Sequence, residues 1–299
     1  MVLKSKLTTV KKVPSLYKYV TLDRALSILK SGEIRMTQPR FLNDPHELCV
    51  EVNGLSVKKH FYDHLLGRGY SPEEANDISS RNLIGMVIDQ VDDIRSRREE
   101  YGVLSLADSL ENMLLWAHYA NEHRGAVIEI DVGQLVVAGA DLEFQYLGQV
   151  EYCAKRVDFY GERLPVWSTL FFKSEAWAYE REWRLIRSLK DLRQKVEDVY
   201  VIDIPATAIK TVTFGARAFG PTEEEAIKHI QSTHELAHVV VQKASFSSRL
   251  VGLEIQTGRD FAWRILHGQH HFGDNWREFR QWVDMESLEQ AEKTSLAGA

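Results

Sequence analysis

Residues 16–37, LYKYVTLDRALSILKSGEIRMT, decide the fold because their hydrophobic period changes twice within a short stretch. Leu16–Val20 is an aromatic and β-branched run, which is typical of a strand. Thr21 is placed to cap a following helix, and Gly32 supplies a left-handed stop for it. Glu33–Thr37 then alternates in polarity, as a second strand does. The stretch therefore predicts a strand, a capped helix and a strand in immediate succession.

The remaining pattern is a mixture of short strands and amphipathic helices. Strands are predicted at Val103–Ala107, Ala126–Asp131, Phe144–Tyr152, Trp177–Ile186, Tyr200–Ile204, Thr211–Phe214, His238–Val241 and Leu250–Ile255. Helices are predicted over Ser71–Arg98, with an apolar stripe from Ile84 to Ile94, over Leu110–Glu122, and after the capping box Thr222-Glu223-Glu224-Glu225. Strands and helices do not alternate regularly, which argues against a doubly wound parallel sheet. We expect an α+β fold whose mixed, largely antiparallel sheet is flanked by helices.

Changes in composition predict three parts. Residues 1–15 are a basic lead-in, residues 16–256 form a single α+β domain, and residues 257–299 form a helical C-terminal appendage. The appendage contains Phe261–Leu266 and Trp276–Leu288, two short amphipathic segments rich in aromatic side chains. Because these side chains would otherwise expose a large apolar area, we expect the helices to pack on the domain or to join a second copy as a homo-oligomer.

Composition narrows the class of protein. Hydrophobic residues make up 44% and charged residues 27%, a balance typical of a globular protein, and the net charge of -6 provides no general basic field for nucleic acid. The only cysteines are Cys49 and Cys153, which fits a reducing compartment. We expect a cytoplasmic protein without membrane contact, because neither a secretory signal nor a long apolar run is present. Glycine motifs of the Rossmann and P-loop kinds are absent.

The first segment that could carry chemistry is Asn43-Asp44-Pro45-His46-Glu47. It groups an amide, two carboxylates and an imidazole, and Pro45 stiffens the chain between them. Loops on a rigid scaffold often carry function. The alternative is an Asx-turn, in which Asn43 or Asp44 bonds its own backbone.

The second segment runs from Asn112 to His123. At helical spacing Asn112, Trp116, Tyr119 and His123 share one face. His118 lies beside Leu114, Leu115 and Glu122. Such a face could stack on a ring-bearing ligand. The alternative is that its aromatic residues belong to the core and that their polar atoms are satisfied there.

The third segment is Trp177–Ile186. In an extended chain Glu180, Glu182 and Arg184 point to one side of the strand. Two neighbouring carboxylates repel, which raises a pKa, and Arg184 would partly relieve that repulsion. A carboxylate so placed can stabilise a developing oxocarbenium ion or activate a nucleophile. The alternative is a surface ladder of ion pairs, which contributes little to stability.

Metal chemistry has weaker support. His267-Gly268-Gln269-His270-His271 could ligate a metal ion, but no nearby acid or cysteine completes the set, so an exposed loop is the better interpretation. We therefore expect no metal site.

The three segments, together with Leu16–Tyr19, Leu104-Ser105-Leu106, Gly125 and Lys173, stand in one order and spacing. In that order the chain resembles the bacterial Domain of Unknown Function 2971 family, from about Leu16 to Ile255. The family name implies no reaction. His46 stands where that family often has an aromatic residue, so His46 is given no role.

A second resemblance supplies a reaction. The stretch Tyr17–Thr37 is similar to the opening of ADP-ribosyltransferase folds, and Glu180-Arg181-Glu182 is similar to their Glu-x-Glu element. No counterpart of their Ser-Thr-Ser middle strand is present. The resemblance implies NAD as substrate, with Glu182 holding the ribose and stabilising the oxocarbenium ion and Glu180 positioning a macromolecular acceptor. It further implies that Lys18 or Tyr19 steadies NAD and that Trp116 or Tyr119 packs on the nicotinamide.

Three functions stay open. The first is an NAD-consuming enzyme of the ADP-ribosyltransferase or NAD glycohydrolase type, serving as a bacterial toxin or phage-defence effector. The second is a metal-dependent nuclease or hydrolase, in which Asp44, Glu47, His118 and Glu182 converge on a divalent ion. The third is a non-catalytic module that senses a small ligand. For the nucleotide site we expect one cavity lined by the following residues: Asn43, Asp44, Glu47, Trp116, His118, Glu182 and Arg184.

Overall fold

The computed structural model describes residues 15–44, 50–81, 83–137, 145–247 and 251–257. The predicted appendage, its histidine-containing loop and nearly all of the basic lead-in lie outside the described residues. Pro45, His46 and Glu47 also lie outside them.

Helices and strands of the described residues follow one another without regular alternation. The α-helices are α1 (Leu22–Ser31), α2 (Gly54–Gly67), α3 (Pro72–Ser80), α4 (Leu83–Arg98), α5 (Met113–Tyr119), α6 (Val132–Val137) and α7 (Pro221–Ser232). The strands are β1 (Leu16–Val20), β2 (Glu33–Met36), β3 (Val50–Glu51), β4 (Tyr101–Ala107), β5 (Ala126–Ile130), β6 (Gln145–Gln149), β7 (Glu151–Cys153), β8 (Val157–Asp158), β9 (Phe172–Ser174), β10 (Glu182–Ser188), β11 (Arg193–Val196), β12 (Val199–Asp203), β13 (Ile209–Phe214), β14 (Val240–Phe246) and β15 (Leu253–Thr257).

The contacts divide the chain into two compact units, each assembled from separate segments. The first unit is drawn from Ile34–Leu106 and Gly139–Ile202, and the second from Pro14–Glu33, Ala107–Ala138 and Asp203 onward. The single domain expected over residues 16–256 stays a prediction.

The second unit is built on five neighbouring strands in the order β15-β14-β13-β5-β1. Only β13 and β14 run parallel, and the other pairs are antiparallel. Helices α1 and α7 pack together, and His229 on α7 lies 3.2 Å from the backbone oxygen of Leu29 on α1. Buried aliphatic residues such as Leu16, Ile128 and Val212 form the core of this sheet.

The first unit contains three strands in the order β4-β10-β6 and a second sheet in the order β11-β12-β2. Strands β6 and β10 are antiparallel, whereas β3 pairs with β8, and β7 with β9, in parallel. Helix α2 packs on α3 and α4. The first unit contains a buried hydrophobic cluster formed by Val103, Leu170, Phe171 and Ile186. The prediction of an α+β fold with a mixed, largely antiparallel sheet is confirmed.

The stretch that decides the fold forms as predicted. Thr21 caps α1, and its side chain accepts a hydrogen bond from the backbone N–H of Arg24 at 3.4 Å. Gly32 ends the helix in the left-handed region with a φ of 64°. Strand β2 follows at once. The sequence therefore placed both ends of α1 correctly, because each end is fixed by a local side chain.

The prediction of helix over Ser71–Arg98 is confirmed at both ends, but the chain forms two helices there, α3 and α4. Ser71 begins α3 with a capping box that includes Glu74, and Arg81 takes an extended conformation that ends it. The apolar stripe expected from Ile84 to Ile94 is not buried as a whole in α4. Ile84 is 79% exposed and Ile88 is 55% exposed, whereas Ile94 is buried. Helix α2 was not predicted at all.

The expected capping box at Thr222 was also wrong. Helix α7 begins at Pro221, and Gly220 precedes it without a side-chain cap. Glu225, the carboxylate that the pattern had assigned to the helix cap, pairs with Lys30 on α1 instead. Glu223, also on α7, accepts a hydrogen bond from Lys243 on β14 at 2.6 Å, and both of these residues are fully buried.

Helix α5 is shorter than predicted and ends in an unusual turn. Asn121, Glu122 and His123 all have positive φ, at 48°, 53° and 68°. Such a conformation is costly for residues other than glycine, so the surroundings must hold it. The backbone N–H of His123 donates to the oxygen of Trp116 at 3.1 Å, and the oxygen of His123 accepts from the N–H of Arg217 at 2.9 Å.

Two glycines make room for this turn. A Cβ at Gly215 would lie 2.1 Å from the backbone oxygen of His123, and a Cβ at Gly125 would lie 2.1 Å from that of Val20. Both clashes are with backbone atoms of the sheet or the turn, which cannot swing aside.

We expect Gly215→Ala to lower the free energy of unfolding by about 1–3 kcal/mol, the usual cost of forcing an extra methyl group into a packed interior. Thermal melts of purified variants would measure this. Gly67→Ala is the matched control, because nothing lies within 4 Å of its Cβ and it ends α2. Alanine is favoured over glycine in helices, so the control should melt at the same temperature or higher. Equal melting temperatures for Gly215→Ala and the wild type would contradict the expectation.

Candidate functional site

The chain before β10 is not the continuous strand that the alternation predicted. Glu175–Glu180 is a 3-10 helix, and Arg181 takes a left-handed conformation with a φ of 47°. Strand β10 begins only at Glu182. The strand predicted over Trp177–Ile186 was therefore wrong in its first half. Glu182 and Arg184 do share one face of a strand, but Glu180 reaches them from the 3-10 helix.

Glu182 is bound through both of its carboxylate oxygens. The Nε atom of Arg184 donates to its Oε1 at 2.8 Å, and Nη2 of Arg184 donates to its Oε2 at 3.0 Å. Lys173 Nζ donates to the same Oε2 at 3.1 Å. The paired donors of a guanidinium match the two oxygens of a carboxylate, which fixes the orientation of both side chains.

Lys173 joins the two glutamates. Its Nζ atom also donates to Oε2 of Glu180 at 2.6 Å and lies 5.0 Å from the centre of the Trp177 ring. Lys173, Glu180, Glu182 and Arg184 are between 0% and 5% exposed. Two cations and two carboxylates are thus removed from water together. We call these four residues the buried charge cluster.

Neighbouring residues complete the surroundings of Glu182. Ser105, on the adjacent strand β4, hydrogen-bonds to its side chain, and the Tyr152 hydroxyl accepts the Glu182 backbone N–H at 2.8 Å. Asp44 interacts electrostatically with Arg184 and is itself buried. The cluster therefore draws on four separate parts of the first unit.

Burial and charge act in opposite directions on this cluster. Burial raises the pKa of Glu182, and Lys173 and Ser105 counteract that rise. Burial lowers the pKa of Arg184 to about 9, while Asp44 acts in the opposite direction, so the guanidinium remains a cation at neutral pH. A buried carboxylate held between two fixed cations can present charge in a set position. It can stabilise a developing positive charge only where the reacting atom approaches the cluster.

The other residues of the first unit that were predicted to line the site differ in their burial. Asp44 is buried and also lines a surface cleft, whereas Asn43 beside it is exposed. Both follow the 3-10 helix Pro39–Phe41, so the loop character expected there is confirmed. Asp44, Glu180, Glu182 and Arg184 are brought together. Glu47 lies outside the described residues.

The predicted aromatic residues lie in the second unit. Trp116 is 0% exposed and its indole N–H donates to the backbone oxygen of Leu110 at 2.8 Å. Tyr19 packs edge-on against Trp116 at 5.5 Å and donates its hydroxyl to the oxygen of Ser109. His123 stacks on the other side of Trp116 at 6.2 Å. This is the arrangement of core aromatics whose polar atoms are satisfied.

The other residues of the second unit that were predicted to bind a ligand are not buried. His118 is exposed on α5, its ring lies 6.3 Å from that of the half-buried Tyr119, and Lys18 is half-buried on β1. The single cavity expected to unite residues of both units stays a prediction.

Sequence reasoning gave no role to Lys173, Ser105 or Tyr152. Lys173 and Ser105 stood within the segments that carried the family resemblance, so that spacing was a usable signal for both. No sequence pattern pointed to Tyr152, because it contacts Glu182 across a separation of thirty residues.

Comparison with family models agrees with the resemblance of these segments. Residues 115–185 match the family described as "Protein of unknown function (DUF2971)". The DUF2971 match covers a minority of the chain and includes all four residues of the buried charge cluster. The predicted resemblance to this family is confirmed over that stretch. No curated protein and no solved structure matches the chain.

No helix among the described residues is long and apolar enough to cross a membrane. Within the same residues, no group of three or more histidine, cysteine, aspartate or glutamate side chains is placed to hold a metal ion.

We expect Lys173→Met to lower the free energy of unfolding by about 3–5 kcal/mol, because it leaves two buried carboxylates with one cation fewer. Chemical denaturation followed by fluorescence would measure it. Lys30→Met is the control, since Lys30 pairs with Glu225 at the surface, where both side chains are about half exposed. That variant should unfold like the wild type. Equal losses in the two variants would contradict the expectation.

The position of His123 predicts that the stability of the protein depends on pH. Burial lowers the pKa of His123, and Arg217 lowers it further. The unfolded chain therefore binds a proton more readily than the folded one. Stability should be complete above the unfolded pKa of about 6.5 and decline as the pH falls through the lower folded value.

The matched variant is His123→Asn, since asparagine tolerates the left-handed conformation and does not titrate. Denaturation at a series of pH values should give a shallower acid decline for this variant than for the wild type. Parallel curves would show that His123 is not the titrating group.

Proposed function

We propose that the protein is an NAD-consuming enzyme, of the ADP-ribosyltransferase or NAD glycohydrolase type, and that Glu182 carries its chemistry. One observation supports this most directly. Glu182 is a buried carboxylate held by Arg184 and Lys173 at the start of a strand, within the DUF2971 match. The similarity of Glu180-Arg181-Glu182 to a Glu-x-Glu element supplies the reaction.

The charge on Glu182 suits the step that limits such a reaction. Loss of nicotinamide leaves positive charge on the ribose, and a fixed carboxylate stabilises that charge without reorganising. Burial alone would favour the protonated acid, which has no such effect. Lys173 and Arg184 oppose that protonation, so they act as positioning residues for Glu182.

Glu180 takes a different part in the proposal. It shares Lys173 with Glu182, and its place at the end of a 3-10 helix sets it one left-handed residue away from the strand. We assign it the positioning of an acceptor, which is a water molecule in a glycohydrolase and a macromolecule in a transferase. Asn43 and Asp44 remain the ligand-facing residues of the first unit in this proposal. Trp116 and Tyr19 are assigned to the core.

A divalent metal is a poorer partner for Glu182 than the two cations already bound. Both of its oxygens accept charge-assisted hydrogen bonds, so a metal ion would have to displace Lys173 or Arg184. The decisive experiment is incubation of the protein with NAD, with and without EDTA, followed by measurement of free nicotinamide. Release that persists in EDTA supports the proposal. EDTA-sensitive cleavage of nucleic acid would favour the metal-dependent hydrolase, and silence in both assays would favour ligand sensing.

We expect Glu182→Gln to lower the rate of nicotinamide release by roughly a hundredfold or more, because glutamine keeps the shape and removes the charge. Glu180→Gln should reduce transfer to an acceptor more than it reduces NAD cleavage. Glu175→Gln is the matched control, since Glu175 is an exposed residue in the same 3-10 helix and loses the same charge.

Thermal melts of all three variants separate catalysis from folding. A Glu182→Gln protein that keeps the wild-type rate would end the proposal. If Glu182→Gln fails to fold, Arg184→Lys is measured in its place. This change keeps the charge and removes the bidentate contact, so it should lower the rate while the protein remains folded.

A further inference from the structure

A surface cleft of about 760 Å³ lies in the first unit, beside α4. Arg40, Arg95, Arg98 and Arg156 line it, together with acidic and apolar side chains. Four arginines from three separate segments therefore face one space, in a protein whose net charge is negative. This concentration of one residue type calls for a ligand of opposite charge.

The arginines differ in how far their charge is already balanced. Arg40 pairs with Asp198, and its Nη1 lies 3.9 Å from Glu99. Arg95 and Arg156 have no ion pair within the described residues, and Arg156 only donates to the backbone oxygen of Val50 at 3.2 Å. Arg98 keeps a buried Nε atom that bonds to nothing in the described part of the chain. The guanidinium groups of Arg95, Arg98 and Arg156 thus retain N–H donors for a ligand.

These three charges also act on one another. Burial lowers the pKa of Arg98 to about 10, and Arg95 and Arg156 lower it further. Like charges held together repel, and a bound anion relieves that repulsion. Three acids line the same cleft, namely Asp44, Glu51 and Glu99. Asp44 acts on Arg184, and Glu99, whose pKa is raised by burial, acts on Arg40 and Arg98.

We propose that this cleft binds the phosphate groups of a small molecule through Arg95, Arg98 and Arg156. Planar guanidiniums bond phosphate oxygens in pairs, which a lysine cannot do. The volume lies within the range of small-molecule sites, roughly 300–1,000 Å³, and exceeds what a single phosphate fills. The apolar side chains of Leu42, Val52, Val91 and Ile94 line the rest and suit an organic part such as a nucleoside. This inference does not depend on NAD cleavage, because it concerns binding alone.

The test is calorimetric titration of the full chain with ADP, pyrophosphate and adenosine in turn. ADP and pyrophosphate should bind, and their affinity should fall as salt rises, since the contacts are between charges. ADP binding more tightly than pyrophosphate identifies a nucleotide ligand, and equal binding identifies a free polyphosphate. Adenosine that binds as tightly as ADP would overturn the proposal, as would failure of both phosphate compounds to bind.

Arg156→Gln and Arg95→Gln should each weaken binding by about tenfold, as expected for loss of one charge-assisted hydrogen bond. Both residues are exposed, so the variants should fold. Arg97→Gln is the control. It lies on the same helix and loses the same charge, but it pairs with Asp93 outside the cleft. Equal weakening in all three variants would show that general charge, rather than this cleft, determines binding.

Discussion

Arg184 donates two hydrogen bonds to Glu182, which lies two residues earlier on a strand whose side chains are buried on both faces. A buried ion is tolerated only when its partners are in place, and removing one partner costs more than the pair itself contributes. The placement of Lys173, Glu180 and Ser105 follows from that requirement. Strand β4, the 3-10 helix before β10 and the loop at Asp44 all supply polar atoms to this one pair.

The second unit meets the same constraint with simpler means. Lys243 is fully buried and is satisfied by Glu223, by the backbone oxygen of Ala218 and by the ring of Phe219 at 4.4 Å. In that group one cation pairs with one carboxylate. The buried charge cluster differs because Lys173 divides its donors between two carboxylates.

Features set by neighbours in the sequence could be predicted, and features set by distant partners could not. Thr21 and Gly32 determine the ends of α1 through contacts with their own helix, and the polar face of Glu182 and Arg184 follows from strand periodicity. The strand does not extend back through Glu180 because Arg181 has a left-handed conformation. An arginine in a sequence gives no indication of that conformation. Lys173 and Tyr152 reach Glu182 only once β7, β9 and β10 have come together, so alternation alone could not reveal them. The turn at His123 was missed for a related reason, since glycine at position 215, far along the chain, makes it possible.

The short separation between Glu182 and Arg184 has a consequence for the order in which this part of the molecule assembles. The pair needs no long loop to close, because an extended chain already places alternate side chains on one side. It can form while the strand is still hydrated, and the ions then enter the interior as a neutral couple when β10 docks beside β4. Lys173 comes from a separate strand, so its contacts with Glu180 and Glu182 need tertiary packing. A guanidinium that enters the interior with its carboxylate already bound costs less to desolvate than a lone charge.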